Sequence, residues 1–182
     1  MQEILARPRR ISRMGILGEE LAACALSENG FHSISNLNRE YRMNFPFADI
    51  LAERRGVRYF VSVKARNEER DSGGLNEAYN LVCVADAVNR RLKSMDKSVD
   101  DITRMALDRI FALSREFGAT PAFVAIPVRP LQGTYCAYFG LLEHLGVRRS
   151  IPMKEEQRNK YECLVQWRAD PRIEPALLNR AA

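Results

Sequence analysis

The sequence contains no long apolar run. None of its 182 residues lies in a stretch that approaches the roughly 18 consecutive apolar residues of a transmembrane helix, so we expect no membrane insertion. The opening residues also lack an apolar run followed by small residues, which argues against a secretory signal. The expected location is therefore the cytoplasm.

Metal and redox motifs built from cysteine or histidine are absent as well. The four cysteines are far apart and form no CxxC pair, the spacing typical of zinc sites and thioredoxin-like centres. His32 and His144 have no second ligand type at metal-binding spacing. We therefore expect reduced, mostly buried cysteines, and neither a zinc hydrolase nor a Ser/His/Asp enzyme.

The residues that are present suit one folded domain. Apolar residues make up 46% of the chain and charged residues 28%, and a chain of this length has room for a single core. The net charge of +5 fits a polyanion partner without requiring one. We predict a basic N-terminal arm over 1–13, one α/β domain over 14–150 and a peripheral extension over 151–182.

The first part of the domain has the pattern of a helix followed by a hairpin. Apolar residues recur at helical spacing from Met14, and Asn29-Gly30 is a typical helix stop. Residues 31–41 look irregular or weakly extended. Two strand patterns, at 46–53 and 57–65, flank a turn at Arg54-Arg55-Gly56 and predict a β-hairpin.

The second part predicts a helix and two neighbouring strands. The segment 77–95 fits either a short buried strand or a helix, and we favour the helix. An amphipathic helix then starts at Asp100 or Asp101 and ends near Phe117-Gly118. Apolar strands are expected at 121–128 and 134–142.

Polar residues occupy positions inside the predicted hairpin. Asp49 lies in an apolar context, where an ionised carboxylate needs a cation or a set of hydrogen-bond donors. Ser62 and Lys64 share one face of the second strand, and the turn brings about position 61 or 62 opposite Asp49. A carboxylate beside a lysine suits Mg²⁺ and phosphate chemistry, and it is equally an ordinary ion pair.

Four segments in this order resemble the PD-(D/E)xK nuclease superfamily, especially its Holliday-junction-resolvase-like and restriction-endonuclease-like branches. They are Gly15-Ile-Leu-Gly-Glu-Glu-Leu-Ala22, Asn29-Gly-Phe31, Phe47-Ala-Asp49 and Phe60-Val-Ser-Val-Lys-Ala-Arg66. The motifs cover about residues 14 to 66, and the later helix, strand, strand order extends the likeness more loosely to about residue 142.

The resemblance implies a restriction-endonuclease-like mixed central sheet flanked by helices. It also implies a Mg²⁺- or Mn²⁺-dependent endonuclease that acts on DNA, as a homodimer in many such enzymes. Glu19 matches the helix glutamate of the pattern, with Glu20 as the alternative, and Asp49 matches the metal-binding aspartate. Lys64 matches the lysine of the acid-x-Lys signature, which makes Glu19, Asp49, Lys64 and the intervening Ser62 the candidate catalytic residues.

Ser62 departs from the pattern, because the family has Asp or Glu two residues before the lysine. A hydroxyl supplies no negative charge to a divalent cation, so the site is weakened or another carboxylate replaces the missing one. The downstream candidates for that replacement are Glu68, Glu69 and Glu77. Two alternatives stay open: a silent module that binds nucleic acid or a partner protein, and a scaffold in which Asp49 and Lys64 neutralise each other.

Arginines near the hairpin are candidates for phosphate contacts. Arg66 and Arg70 flank Lys64 and a glycine-containing loop, which favours them as nucleic-acid-binding residues. The turn contributes three further candidates, although a basic turn is also commonly a solvated surface. These are Arg54, Arg55 and Arg58.

Overall fold

The first helix packs along one face of a sheet. The computed structural model describes residues 3–40, 48–70, 72–81 and 98–173. Helix α1 (Glu3–Glu28) ends where predicted, at Asn29 and Gly30, and Gly30 has a φ of 78°. It begins well before Met14, and the backbone of residues 3–13, the predicted basic arm, continues the helix.

The main sheet has six strands and mixed pairing. Its members are β1 (His32–Asn36), β2 (Ile50–Arg54), β3 (Val57–Asn67), β5 (Thr120–Arg129), β6 (Thr134–Leu141) and β8 (Glu162–Ala169). The strand order is β1-β2-β3-β5-β6-β8. Only the β3–β5 pair is parallel among these neighbours. The predicted mixed α/β class is therefore confirmed.

The predicted hairpin is confirmed together with its register. Ile50 pairs with Val61 and Arg54 pairs with Val57 across the β2–β3 ladder. The turn consists of Arg55 and Gly56, both at positive φ (53° and 74°), as in the two-residue turns that suit the twist of a hairpin.

The two faces of β3 bury different side chains. Val61, Val63 and Ala65 pack with the apolar stripe of α1. The opposite face is covered in part by α3 (Val99–Glu116), whose following residue Phe117 stacks on Phe60 with ring centroids 5.4 Å apart. Strand alternation therefore assigns Ser62 and Lys64 to the face away from α1.

Smaller elements complete the described chain. They are α2 (Leu37–Glu40), β4 (Ala78–Asn80), a 3₁₀ turn (Leu142–Leu145), β7 (Ser150–Pro152) and α4 (Glu155–Arg158). Strands β4 and β7 form a separate two-stranded sheet.

Three local predictions were wrong. In the segment 31–41, expected to be irregular or weakly extended, residues 32–36 form a regular strand, β1, because they pair with β2, and residues 37–40 form α2, while residue 41 lies outside the described residues. Residues 78–80 form β4 and not helix, because β7 supplies a partner strand, and 82–97 lie outside the described residues. The cap of α3 is Ser98, in a capping box with Asp101, and neither Asp100 nor Asp101.

The C-terminal residues are not peripheral up to residue 173. Strand β8 pairs with β6 and forms an edge of the main sheet. Leu164, Val165 and Ile173 join the core against α1. The single apolar patch in this polar stretch is enough to anchor it, because the sheet supplies the remaining apolar surface.

The three cysteines among the described residues are free, and fewer of them are buried than expected. Cys136 is buried, Cys24 is half-buried and Cys163 is exposed on the edge strand. Cys83 lies outside the described residues. No helix in the described part of the chain is long and apolar enough to cross a membrane.

Candidate metal and nucleic-acid site

Asp49 lies at the start of β2 and is held by backbone groups. Its N–H donates to the Val61 carbonyl at 2.9 Å, and because Ile50 already pairs with Val61, Asp49 and Ile50 both lie opposite Val61, the first of the two positions (61 or 62) expected opposite Asp49. Its Oδ2 accepts a hydrogen bond of 2.6 Å from the Val63 N–H. The donors that a carboxylate in this setting requires are thus supplied by the chain itself.

Glu19 lies on α1 and accepts hydrogen bonds from two asparagines. The Nδ2 group of Asn36 donates to Oε2 at 2.8 Å, and the Nδ2 group of Asn38 donates to Oε1 at 2.9 Å. The same Nδ2 of Asn38 donates to Oδ1 of Asp49 at 3.1 Å. One amide therefore bridges Glu19 and Asp49, which we call the carboxylate pair.

A close approach of α1 to β3 positions Glu19. A Cβ atom at Gly18 would lie 2.5 Å from the Cβ of Ala65, so only glycine allows this contact. On the other side of the pair, the Leu37 N–H donates to the Asp49 carbonyl at 2.9 Å and fixes the segment that carries Asn36 and Asn38. Helix, hairpin and connecting segment thus meet at the carboxylate pair.

The electrostatics of the pair favour a positive charge. Burial raises the pKa of Glu19 above its ordinary value, and the nearby charge of Asp49 raises it further. The hydrogen bonds from Asn36 and Asn38 and the charge of Arg39 act in the opposite direction. A cation placed between the two carboxylates would favour their ionised forms.

The remaining motif positions do not join the pair through hydrogen bonds or ion pairs. Glu20, the alternative metal ligand, forms ion pairs with Arg39 at 3.0 Å and Arg172 at 3.8 Å. Ser62 is buried, with 6% of its surface exposed, and Lys64 is half-buried, both on the face away from α1. In the part of the chain that the structure describes, Asp49 is bonded to Val63 and Asn38 and not to Lys64.

The downstream carboxylates are engaged elsewhere or remote. Glu68 is 7% exposed and lies between Arg129 and Arg158. It follows Ser62 by six strand residues, a distance of about 20 Å along the chain. Glu69 is exposed and bridges to Leu75 through its backbone, and Glu77 pairs with Lys154 at 3.6 Å. Each of these three carboxylates is therefore either engaged by other residues or exposed to solvent, away from Ser62.

The candidate arginines differ in how many of their guanidinium N–H groups are already hydrogen-bonded within the protein. Arg54 forms a bidentate pair with Glu162 at 2.6 and 2.7 Å, and its guanidinium lies 4.1 Å from the Phe31 ring centroid. Arg58 donates to the Phe117 carbonyl at 3.1 Å.

The other candidates are more accessible. Arg66 donates to the Ala65 carbonyl at 2.7 Å and is exposed. Arg55 and Arg70 are exposed as well. Of the predicted group, Arg54 has the most complete set of structural contacts.

Sequence reasoning missed Asn36, Asn38 and Arg39. They lie in the segment expected to be irregular, and amide side chains there have no spacing that distinguishes a site from a surface loop. Only the pairing of β1 with β2 brings them beside Glu19 and Asp49.

No group of three or more His, Cys, Asp and Glu side chains with metal-binding geometry occurs among the described residues. The site thus consists of two carboxylates and two amides. Comparison of the chain with protein-family models, curated proteins and solved structures finds no match in any of the three. The functional argument therefore depends on the geometry of this site.

Proposed function

We propose that the protein is a metal-dependent endonuclease that hydrolyses phosphodiester bonds in DNA, on a restriction-endonuclease-like fold. The observation that supports this most directly is the position of the Asn38 amide, within hydrogen-bond distance of both Glu19 and Asp49. These are the two acids that the nuclease motifs assign to the metal. They come from different elements, and their positions, 19 and 49, are 30 residues apart in sequence.

The carboxylate pair fits Mg²⁺ or Mn²⁺. Both ions prefer oxygen ligands, and Mg²⁺ is commonly held by one or two carboxylates with water and substrate oxygens in the other positions. In the free protein the positive end of the Asn38 amide lies between the two carboxylates, which supports a preference for positive charge there, and a bound ion would displace this amide. When bound, the ion would activate a water molecule and stabilise negative charge on the phosphate.

The chain's own residues would divide the remaining tasks. Glu19 and Asp49 would hold the ion, with Asn36 fixing the orientation of Glu19 and the Val63 N–H fixing that of Asp49. The nuclease pattern would give Lys64 the role of orienting the water or neutralising the phosphate, and the Ser62 hydroxyl that of a neutral oxygen. Both side chains lie on the face of β3 away from α1, so these two roles rest on the pattern and not on contacts with the carboxylate pair.

The second candidate is a silent module of the same fold that binds nucleic acid or a partner protein. The observation that favours it is the buried Ser62, since none of the nearby downstream acids replaces the missing charge. This candidate predicts salt-sensitive DNA binding without any requirement for a divalent metal.

The test compares cleavage of linear, single-stranded and branched DNA by wild type, Asp49→Asn and Glu53→Gln in Mg²⁺ or Mn²⁺. Asparagine keeps an acceptor for the Val63 N–H, so the first variant removes the charge without removing the hydrogen bond. Glu53 lies on the same strand and pairs across it with Arg58, which makes its variant the matched control.

We expect metal-dependent cleavage by wild type and Glu53→Gln, and none by Asp49→Asn. Full cleavage by Asp49→Asn would exclude the proposed metal site. If wild type binds DNA in EDTA but cuts nothing in either metal, the silent module is the better explanation.

A further inference from the structure

A polyanion that approaches the carboxylate pair meets several negative groups. Glu19, Glu20 and Asp49 all lie on this side of the molecule, connected through the segment that contains Asn36, Asn38 and Arg39. Repulsion among like charges disfavours a phosphate there unless a cation lies nearby. When no metal is bound, a phosphate at this position therefore needs a basic residue nearby.

Arg39 is the basic residue that the chain places beside the pair. It directly follows Asn38, and its own N–H donates to Oδ1 of Asn36 at 3.0 Å. Its side chain is 67% exposed. Its guanidinium contacts Glu20, the residue next to Glu19 on α1, which places it near the pair.

The guanidinium of Arg39 is held by an exchangeable contact. Its NH2 group donates to Oε1 of Glu20 at 3.0 Å, in an ion pair whose members are 67% and 37% exposed. Surface pairs of this kind contribute little free energy, so a phosphate can compete for the same donors. Arg54, in contrast, has both terminal nitrogens bound to Glu162.

Release of Arg39 would not leave Glu20 without a counter-ion. The other carboxylate oxygen of Glu20, Oε2, lies 3.8 Å from NH1 of Arg172. Arg172 is itself anchored by Asp170, with hydrogen bonds of 2.9 and 2.7 Å. When Arg39 leaves, Glu20 therefore keeps Arg172 as a partner, and the loss of free energy is small.

We propose that Arg39 binds a backbone phosphate of the nucleic acid. In the free protein Glu20 binds the Arg39 guanidinium instead, so Glu20 and the phosphate compete for the same donors. The inference rests on the proposed function in that both place the substrate at the carboxylate pair. It assigns a role to a residue outside the nuclease motifs, and it holds for a cutting enzyme and for a silent binding module alike.

The test measures binding of fluorescein-labelled duplex DNA, and of one of its single strands, by anisotropy in EDTA over a series of salt concentrations. The proteins are wild type, Arg39→Ala, Glu20→Gln and the double variant. Arg109→Ala is the charge control, because Arg109 is exposed on α3, which packs on the other face of the sheet. A thermal melt of each protein checks that it is folded.

Arg39→Ala should weaken binding and lower the slope of log K against log salt by about 0.9 for duplex DNA, as expected for one lost phosphate contact. Arg109→Ala should lower neither quantity to that extent. Glu20→Gln should strengthen binding by up to about five-fold, the range of a surface ion pair, and should have no effect in the Arg39→Ala background.

Wild-type slope and affinity in the folded Arg39→Ala protein would overturn the contact, as would the absence of any DNA binding by wild type. An equal gain from Glu20→Gln with and without Arg39 would overturn the competition, since a general charge effect would then explain it. Because the assay contains no metal and no cleavage, its result is independent of whether the protein proves to be a nuclease.

Discussion

The backbone N–H of Val63 donates to Oδ2 of Asp49 at 2.6 Å. This bond connects the start of β2 with the middle of β3. It gives the Asp49 carboxylate a hydrogen-bond donor from the backbone, so that no lysine is needed for this purpose. Among the described residues Asp49 forms no ion pair with Lys64, which is half-buried on the other face of β3. The site consequently combines a carboxylate fixed by the backbone with one supplied by a helix.

Glu19 should make folding stability depend on pH. Its pKa in the folded protein is raised above the ordinary value of 4.5, mainly by burial, so the folded state holds this proton more tightly than the unfolded state. The stabilising contribution is complete below pH 4.5 and is lost as the pH rises through the folded pKa. Urea denaturation of wild type and Glu19→Gln over this range should show wild type losing stability relative to the variant.

Glutamine does not titrate, so Glu19→Gln serves as the reference at every pH. A stability difference between the two proteins that is flat, or that grows in favour of wild type with rising pH, would contradict the assigned cause.

Gly18→Ala should destabilise the protein by about 1–3 kcal/mol, the usual cost of overpacking. The added Cβ would lie 2.5 Å from that of Ala65, so α1 must move away from β3. Gly15→Ala is the matched control, because its Cβ would meet nothing within 4 Å. That variant should stabilise the protein by about 0.5–1 kcal/mol through helix propensity alone.

Chemical denaturation of both glycine variants measures these changes. Equal stability of Gly18→Ala and Gly15→Ala would show that α1 does not pack against β3 as closely as described. Since Glu19 follows Gly18 directly, Gly18→Ala should also alter the pKa of Glu19, which NMR titration can follow.

Glu68→Ala should cost about 3–5 kcal/mol of stability, because it leaves two cations without their shared buried partner. Glu68 is 7% exposed between Arg129 and Arg158. Glu77→Ala removes only an exposed pair with Lys154 and should cost less than about 1 kcal/mol. Thermal and urea denaturation compare the two, and a small loss for Glu68→Ala would indicate that its arginines find other partners.

Arg54→Ala and Arg70→Ala should have opposite consequences. Arg54 binds Glu162 and stacks on Phe31, so its loss should destabilise the protein by about 1–3 kcal/mol with little change in DNA affinity. Arg70 is exposed, and its loss should leave stability unchanged while weakening DNA binding. Denaturation and anisotropy on the same samples provide both readouts, and a weaker DNA complex from Arg54→Ala alone would reverse the assignment.

Local sequence patterns were sufficient for the elements whose partners are close in the chain. The end of α1 at Asn29-Gly30, the β2–β3 turn and the register of β2 against β3 follow from capping, turn chemistry and alternation. The apolar run of β5 likewise predicted a central strand, because only a strand buried on both faces tolerates it.

Tertiary structure decided the rest. Residues 32–36 became a strand and 162–169 joined the sheet because distant strands satisfied their backbone groups, which no local period reveals. Packing of α1 on β3 selected Glu19, and not Glu20, as the partner of Asn38, and it set Lys64 on the opposite face. Periodicity identifies the face on which a residue lies, whereas only packing determines which faces meet.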